Sequence, residues 1–441
     1  MTPALKLLSA THRPVYPALP EAQQVYVLLE ALPDAAALNT DQPGRPAQAL
    51  NFCLVLDRSG SMAGEKLNAL KAAARRLVDR LGPADWLSVV FFDDTRPAEL
   101  VAPAGPVLDR ASVQRKIGLV EERGGTHLST GLQLGLEELR RGLSPERVNG
   151  LLLLTDGQTW EDQDICRSLA EQCRADGIPI YALGLGVGEE NNWDPRFLEE
   201  LGRISGGDWA LVESSGDVDT AFEKLLGSLQ RTVVTHARLT MRLVQGVEPR
   251  SVWRVRPLIS RLDSRSVSAH DVQVLLGDIH QGPGQALLAE LLVPARPPGA
   301  YRILQVDVVY DLPGSGLLEQ RAAVDVVLNF AEGAASPVDG RMMNLIERVV
   351  AHRLQTQALD DAAAGQPQRA TQRLRAAATR LLELGETDLA RQAEGQIQQI
   401  ERTGQADPAA AQKLRYATRR LAESAASAAE SAASAGESEL R

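Results

Sequence analysis

The sequence predicts an α/β fold: a doubly wound, mostly parallel sheet inserted in an antiparallel β-sandwich domain and followed by a C-terminal helical region. Three observations lead there. Between residues 50 and 230, apolar runs suited to buried strands alternate with segments of helical apolar spacing, the pattern of a parallel sheet covered on both faces. On either side, at 4–48 and 232–330, short alternating stretches are divided by turn residues, as in a sandwich. After about residue 336 the composition turns to Ala, Arg, Gln, Leu and Glu with glycine or proline breaks, which reads as four helices.

Taken in order, QQVYVLLE is a strand of the first segment, and NFCLVL opens the central domain as an apolar strand. GEKLNALKAAARRLVDRL follows with Leu67, Leu70, Ala74, Leu77, Val78 and Leu81 on one helical stripe. DWLSVVFFDD is a strand, AELVAPAG a short edge strand, and HLSTGLQLGLEELRRG a helix. VNGLLLLTDG is a strand, and DICRSLAEQCRADG is a helix closed by a C-cap glycine. PIYALGLG, DPRFLEELGRISGG, DWALVESS and DVDTAFEKLLGSLQ complete the series. The expected limits are 1–49 for the first sandwich strands, 50–230 for the inserted domain and 231–332 for the rest of the sandwich. The helices fall at 336–424 and a low-complexity Ala/Ser/Glu tail at 425–441. Such an insertion requires the two ends of the inserted segment to lie close together. A helical array of this kind suits peptide or protein contacts.

Composition bounds the function. A chain of 441 residues with 44% hydrophobic content has length for several cores. The net charge of -10 comes without a Lys/Arg stripe, which argues against nucleic acid. No basic, then apolar, leader opens the chain, and no run reaches the roughly 18 apolar residues that span a bilayer, so the expectation is a soluble, cytoplasmic protein with no membrane contact. Cys166 and Cys173, seven apart on a helix, would stand about 10 Å apart along its axis, too far to bridge. With Cys53 they read as buried thiols.

The stretch DRSGSM, after NFCLVL and Asp57, crowds two hydroxyls and a carboxylate at a strand tip. A phosphate cradle is out of register, because Gly60, Gly64 and Lys66 do not fit G-x-x-x-x-G-K-[ST] and position 67 is Leu. A nucleophile elbow lacks its G-x-S-x-G frame. An aspartyl-nucleophile phosphatase would want a second Asp where Ser59 stands. A metal site fits better: Asp57, Ser59 and Ser61 alternate and can face one side, and Mg²⁺ prefers oxygen ligands. Further oxygens come from Thr126 in ERGGTHLSTG and Asp156 in LLLLTDG, at other strand tips where open parallel sheets build their sites.

These residues carry a resemblance. DRSGS matches the D-x-S-x-S signature of von Willebrand factor type A (VWA) domains, and GGTHLSTGL and LLLLTDGQ match the threonine and aspartate loops of their metal-ion-dependent adhesion site. The chain is similar to bacterial proteins that carry this Rossmann-like domain with the site intact. The resemblance implies that Ser59, Ser61 and Thr126 ligate the metal directly, while Asp57 and Asp156 act through water or hydroxyl hydrogen bonds. It implies Mg²⁺, with Mn²⁺ or Ca²⁺ as alternatives, and a protein partner that supplies an Asp or Glu. The function implied is a metal-dependent protein–protein interaction module or scaffold and not an enzyme, some relatives being associated with MoxR-type AAA+ ATPases or with signalling and conflict systems. A metal-assisted hydrolase or phosphatase is the alternative, with His127, which stands where Asn is frequent in bacterial relatives, as its one candidate base. Trp160 and Trp193 are expected on loops around the metal, and EERGG and EDQDIC as solvated acidic faces. In relatives that switch, the helix matching DVDTAFEKLLGSLQ is the element that shifts.

Overall fold

A computed structural model describes residues 4–38, 48–157, 159, 161–186, 194–333 and 336–421. The chain opens with β1 (Leu5–Thr11), β2 (Tyr16–Pro17) and β3 (Gln23–Pro33). In β3 every second side chain, Val25, Val27, Leu29 and Ala31, is buried, which marks a strand with one face on a core.

The α/β domain follows as β4 (Ala49–Asp57), α1 (Glu65–Arg80), β5 (Trp86–Phe92), β6 (Glu99–Pro106), α2 (Arg110–Gly118) and α3 (Leu128–Arg141). It continues with β7 (Arg147–Thr155), α4 (Gln163–Ala175), β8 (Ile180–Leu185), α5 (Pro195–Ser205), β9 (Asp208–Val212) and α6 (Val218–Gln230). The strand order is β6-β5-β4-β7-β8-β9, parallel throughout except for β6 at the edge. Alternation along β4 sends Phe52, Leu54 and Leu56 to one face, against α1 and α6, and Cys53 and Val55 to the other, against α3. Both faces are therefore apolar, which is why the strand reads as an unbroken hydrophobic run. Cys53, Cys166 and Cys173 are buried free thiols. β4 and β7 are neighbours in the middle of the sheet, so their C-terminal ends lie side by side.

The remaining strands are β10 (Thr232–Leu243), β11 (Glu248–Arg256), β12 (Ser260–Leu262), β13 (Ser264–Ser266), β14 (Asp271–His280), β15 (Gln285–Val293), β16 (Gly299–Leu312) and β17 (Leu317–Ala331). They form sheets of order β1-β3-β15-β11-β12 and β13-β14-β10-β16-β17-β2. β3 pairs antiparallel with β15, and its buried valines share one core with Leu239, Met241, Val306 and Val308. Strands from before and after the α/β domain thus make a single sandwich. Where the chain leaves and returns, the Gln48 N–H donates to the Gln230 carbonyl at 3.3 Å.

Four helices end the described chain: α7 (Gly340–Ala363), α8 (Pro367–Glu383), α9 (Thr387–Thr403) and α10 (Pro408–Arg419). α7 lays Met342, Ile346 and Val349 on Trp253, Val255 and Leu288, the outer face of the five-stranded sheet. Farther along, Ala358 joins Leu374, Ile397 and Leu414 in a core of the helices' own. Much of the helical surface that the sequence offered for outside contacts is thus used inside the fold. α10 reaches back to the α/β domain through Arg419, which is 1% exposed. Its guanidinium donates to the Trp209 carbonyl at 2.9 Å and to Asp208 Oδ1 at 2.5 Å, and the Arg419 carbonyl accepts from Ile259 N at 2.8 Å. Among the described residues no helix is long and apolar enough to cross a membrane. The 425–441 tail lies outside the described residues.

Candidate metal centre

β4 ends in Asp57, which is fully buried. One carboxylate oxygen accepts from Ser59 N at 2.8 Å and the other from the Thr155 hydroxyl at 2.5 Å, so the tips of β4 and β7 are tied together. The chain then makes a short turn over Gly60–Met62, pinned by the buried Met62 in the core below. That turn brings Ser59 Oγ to 3.0 Å from Ser61 Oγ, and Ser61 Oγ donates to Asp156 Oδ1 at 2.6 Å.

Thr126 arrives on a second loop fastened to the first. Gly60 N donates to the Gly124 carbonyl at 3.0 Å, Arg123 N to the Arg58 carbonyl at 2.8 Å, and His127 N to the Asp93 carbonyl at 3.1 Å. Gly124 has φ +64, a conformation that favours glycine, and a Cβ there would stand 2.0 Å from Asp94 Oδ1, so a side chain would be strained and would have to displace the exposed Asp94 carboxylate. A Cβ on Gly157 would stand 3.2 Å from Thr126 Oγ1 and 3.8 Å from Ser61 Oγ. The two hydroxyls therefore face one small space that exists because position 157 has no side chain. All five residues singled out in the sequence are brought to this one place.

The charges there do not balance. Burial pushes Asp57 up to about 6, against the hydrogen bonds from Thr155 and Ser59, and the neighbouring Asp156 carboxylate adds to the rise. Asp156 is 1% exposed, and the Lys66 ammonium donates to its Oδ2 and, at 3.2 Å, to the Ser61 carbonyl. Arg58 turns away, pairing with Asp93 at 2.8 Å and Glu99 at 2.5 Å. Two buried carboxylates thus face one ammonium beneath the exposed Ser61 and half-buried Thr126.

The donors are hydroxyl and carboxylate oxygens. Among the described residues no group of three or more His, Cys, Asp or Glu could hold a metal, so neither a zinc cage nor a carboxylate cage is formed. A hard cation that tolerates neutral oxygens and retains water fits this set. Beside it a recess of about 10 Å³, lined by Thr126, Thr155 and Gly157 among others, has room for a single water.

Several supporting residues carry no signal in the sequence. Asp162 belongs to the EDQD run expected to be solvated, yet it is 2% exposed. Its Oδ2 accepts from Ser129 N at 2.6 Å and its Oδ1 holds the Thr159 hydroxyl, which fixes the start of α3 just after Thr126. A cap supplied from another loop leaves no local spacing to read. His127 is the N-cap residue of α3, and its Nε2 lies 3.6 Å from Glu161. Trp160 and Trp193 lie outside the described residues.

Residues 51–224 match the family model for the von Willebrand factor type A domain, and residues 340–424 match that for the Sll0103-like, C-terminal alpha-helical domain. The solved structure titled von Willebrand factor type A from Catenulispora acidiphila superposes with a TM-score of 0.76 at 17% identity, covering 95% of this chain and 97% of that one. Residues 51–224 form a von Willebrand factor type A domain. The chain is also similar to relatives of different description. An uncharacterized protein of Synechocystis sp., sll0103, is 32% identical over 271 residues, 60% of this chain and 63% of the relative. The E3 ubiquitin-protein ligase WAV3 of Arabidopsis thaliana is 28% identical over 280 residues, 60% of this chain and 34% of the ligase. The chain therefore spans less than two thirds of either relative.

Proposed function

We propose that the type A domain is a protein-binding module whose face at the tips of β4 and β7 takes a divalent cation and, through it, a partner's carboxylate. Ser59, Ser61 and Thr126 would hold the ion directly, with Asp57 and Asp156 behind them. Mg²⁺ is the first choice, and Mn²⁺ and Ca²⁺ suit the same oxygens. The observation that carries this reading is the convergence of three hydroxyls, over the gap at Gly157, on two buried carboxylates that one lysine leaves under-compensated.

A bound Mg²⁺ would supply a polarising charge that neutral hydroxyls quench less than carboxylates do, so that it remains attractive to an incoming acid. The protein's own part is to hold the hydroxyls in place. Asp57 orients the Ser59 amide, Asp156 orients Ser61, and the Gly124 contact sets Thr126 opposite them. Among the described residues His127, the one candidate base, approaches Glu161 at 3.6 Å and is paired with none of the five residues, which supports a binding role over a catalytic one. The partner called for is a protein presenting an Asp or Glu, and a MoxR-type AAA+ ATPase or a signalling or conflict-system component is the candidate class. A cytoplasmic setting suits three buried free thiols.

Ser61→Ala tests this more cleanly than a change at Asp57, whose buried carboxylate also anchors Ser59 and Thr155. Isothermal titration of Mg²⁺ into Ser61→Ala should give an affinity at least about tenfold weaker than wild type, with unfolding little changed. Equal affinities, or partner binding that persists in EDTA, would remove the proposal.

A further inference from the structure

At the opposite end of the parallel sheet, the N-terminal ends of β8 and β9 and the C-terminal end of α6 meet the sandwich around a cavity of about 520 Å³. Tyr181, Arg231, Arg254, Asp278, His280 and Gln285 line it. The volume is that of a metabolite site, and the place is a junction of domains, where such sites concentrate.

The polar groups in its wall are incompletely satisfied. Arg254 is 9% exposed, and its guanidinium reaches Asp208 Oδ2 at 3.4 Å and Ser260 Oγ at 3.2 Å, both longer than the roughly 2.7–2.9 Å of a good charge-assisted pair. Asp208 is already engaged by Arg419 at 2.5 Å and by Trp209 N at 2.8 Å. Burial accordingly pulls the Arg254 guanidinium below its usual range, Asp208 opposing and Arg419 reinforcing the shift. Arg231, in the one-residue link between α6 and β10, is exposed and its side chain makes no ion pair among the described residues.

Gln285, 4% exposed, gives its amide hydrogens to the Leu276 and Asp278 carbonyls at 3.1 and 2.9 Å. Its buried Oε1 has no partner among the described residues, which is unfavourable unless something donates to it. Arg231 and Arg254 stand near His280, and burial first, then these two guanidinium groups, push its imidazole down to about 4, while the carboxylates Asp208 and Asp278 share the same wall.

We propose that this cavity binds a small organic oxyanion, a carboxylate or phosphate on a metabolite-sized body that also bears a hydroxyl, with Arg254 and Arg231 taking the anion and Gln285 Oε1 accepting the hydroxyl hydrogen. Such a ligand touches the type A domain through Tyr181 and the sandwich through Arg254 and Gln285, so binding clamps the two together. The site is separate from the metal face and does not depend on that reading.

The full chain, in Mg²⁺-free buffer at constant ionic strength, is titrated with malate in one arm and glycerol 3-phosphate in the other, following heat and thermal unfolding. At least one arm should give saturable binding and a rising Tm. Malate alone assigns a carboxylate ligand and glycerol 3-phosphate alone a phosphate. Succinate, which lacks the hydroxyl, should bind more weakly than malate if malate binds. Arg231→Gln, a change at an exposed residue that leaves the fold intact, should weaken the binding by about tenfold or more. Arg254→Gln should abolish it and, if it fails to fold, Arg231→Gln alone decides. No saturable binding beyond a sodium chloride control in either arm, or unchanged affinity in Arg231→Gln, overturns the proposal.

Discussion

At the C-terminal ends of β4 and β7 two buried carboxylates, Asp57 and Asp156, face the single ammonium of Lys66. At the N-terminal ends of β8 and β9 two guanidinium groups, Arg231 and Arg254, share a cavity wall with two carboxylates, Asp208 and Asp278, and Arg419 pairs with Asp208 from outside that cavity. One end of the same sheet is short of positive charge, whereas at the other the guanidinium groups match the carboxylates, with Arg231 left without an ion pair among the described residues. The two ends are also assembled differently. The first comes from strand-tip loops whose residues are read in short contiguous stretches, whereas the second is put together by the packing of the type A domain, the sandwich and α10. The difference is what the two proposals rest on: a cation at the strand tips, and an organic anion at the junction with the sandwich.

The largest effect expected from breaking this arrangement is at Arg419. Arg419→Met removes the strongest partner of Asp208 and the donors that hold α10 to the Trp209 and Ile259 carbonyls. Removing one member of a buried ion pair costs roughly 3–5 kcal/mol, and the residual Arg254 contact should hold the loss toward the lower figure. Urea unfolding measures it. Mg²⁺ binding by the folded fraction should be unchanged, because the metal face lies at the other end of the sheet; a matching fall in Mg²⁺ affinity would mean that the two ends are not independent.

A smaller effect, dependent on pH, is expected at His352 on α7. Its ring is 3% exposed, lies edge-on to Trp253, has Nδ1 2.9 Å from Thr418 Oγ1, and is pushed down to about 3 by burial first and then by Arg419 and Arg415. An unfolded imidazole titrates near 6.5. Above that value neither state carries the proton and the stability is intact. As pH falls from 6.5 toward 3 the unfolded chain takes up a proton that the folded chain refuses, so stability declines by up to about 1.4 kcal/mol per pH unit. The difference between wild type and His352→Gln isolates this contribution from those of Asp57, Asp278 and His280. Thermal unfolding at about pH 7, 6 and 5 should show the wild type losing stability faster than the variant by that slope. Parallel curves would show that the imidazole is protonated without penalty in the folded state.

How much of this was legible in the sequence follows from the same contrast. The type A sheet could be read because strands such as NFCLVL and GLLLL are apolar on both faces, and the helices between them keep a one-sided stripe. Asp57, Ser59, Ser61, Thr126 and Asp156 could be located because each lies in a motif fixed by local geometry. The cavity could not: positions 181, 231, 254, 278 and 285 have no spacing in common, and Arg254 sits in SVWRVRPL like any strand residue. α7 hid its role for another reason. It packs on the sandwich with one side and on α8 and α10 with others, so its buried positions have no single helical period. Asp162 was misplaced on the solvated face because an acidic run indicates exposure only when none of its carboxylates caps a helix elsewhere.

The smallest effect concerns Lys66, and its sign is informative. The ammonium donates to Asp156 Oδ2 and to the Ser61 carbonyl, with 27% of the side chain exposed. It can act in two ways. As a counter-charge it offsets one of the two buried carboxylates and so competes with a divalent ion for the same negative potential. As a positioning group it holds Asp156 so that Oδ1 can receive the Ser61 hydroxyl at 2.6 Å. Two observations favour competition. Asp156 is already held through Oδ1, and with both acids buried the potential reaches the metal face with little screening. Lys66→Met keeps the length and apolar stem of the side chain and removes the charge. It should tighten Mg²⁺ binding by about tenfold, since a unit charge a few ångströms away is worth one to a few kcal/mol at intermediate dielectric. Titration of Mg²⁺ into this variant at low and high salt decides the matter. Tighter binding, with the gain larger at low salt, identifies Lys66 as the competing cation, whereas weaker binding at both would make it the group that orients Asp156.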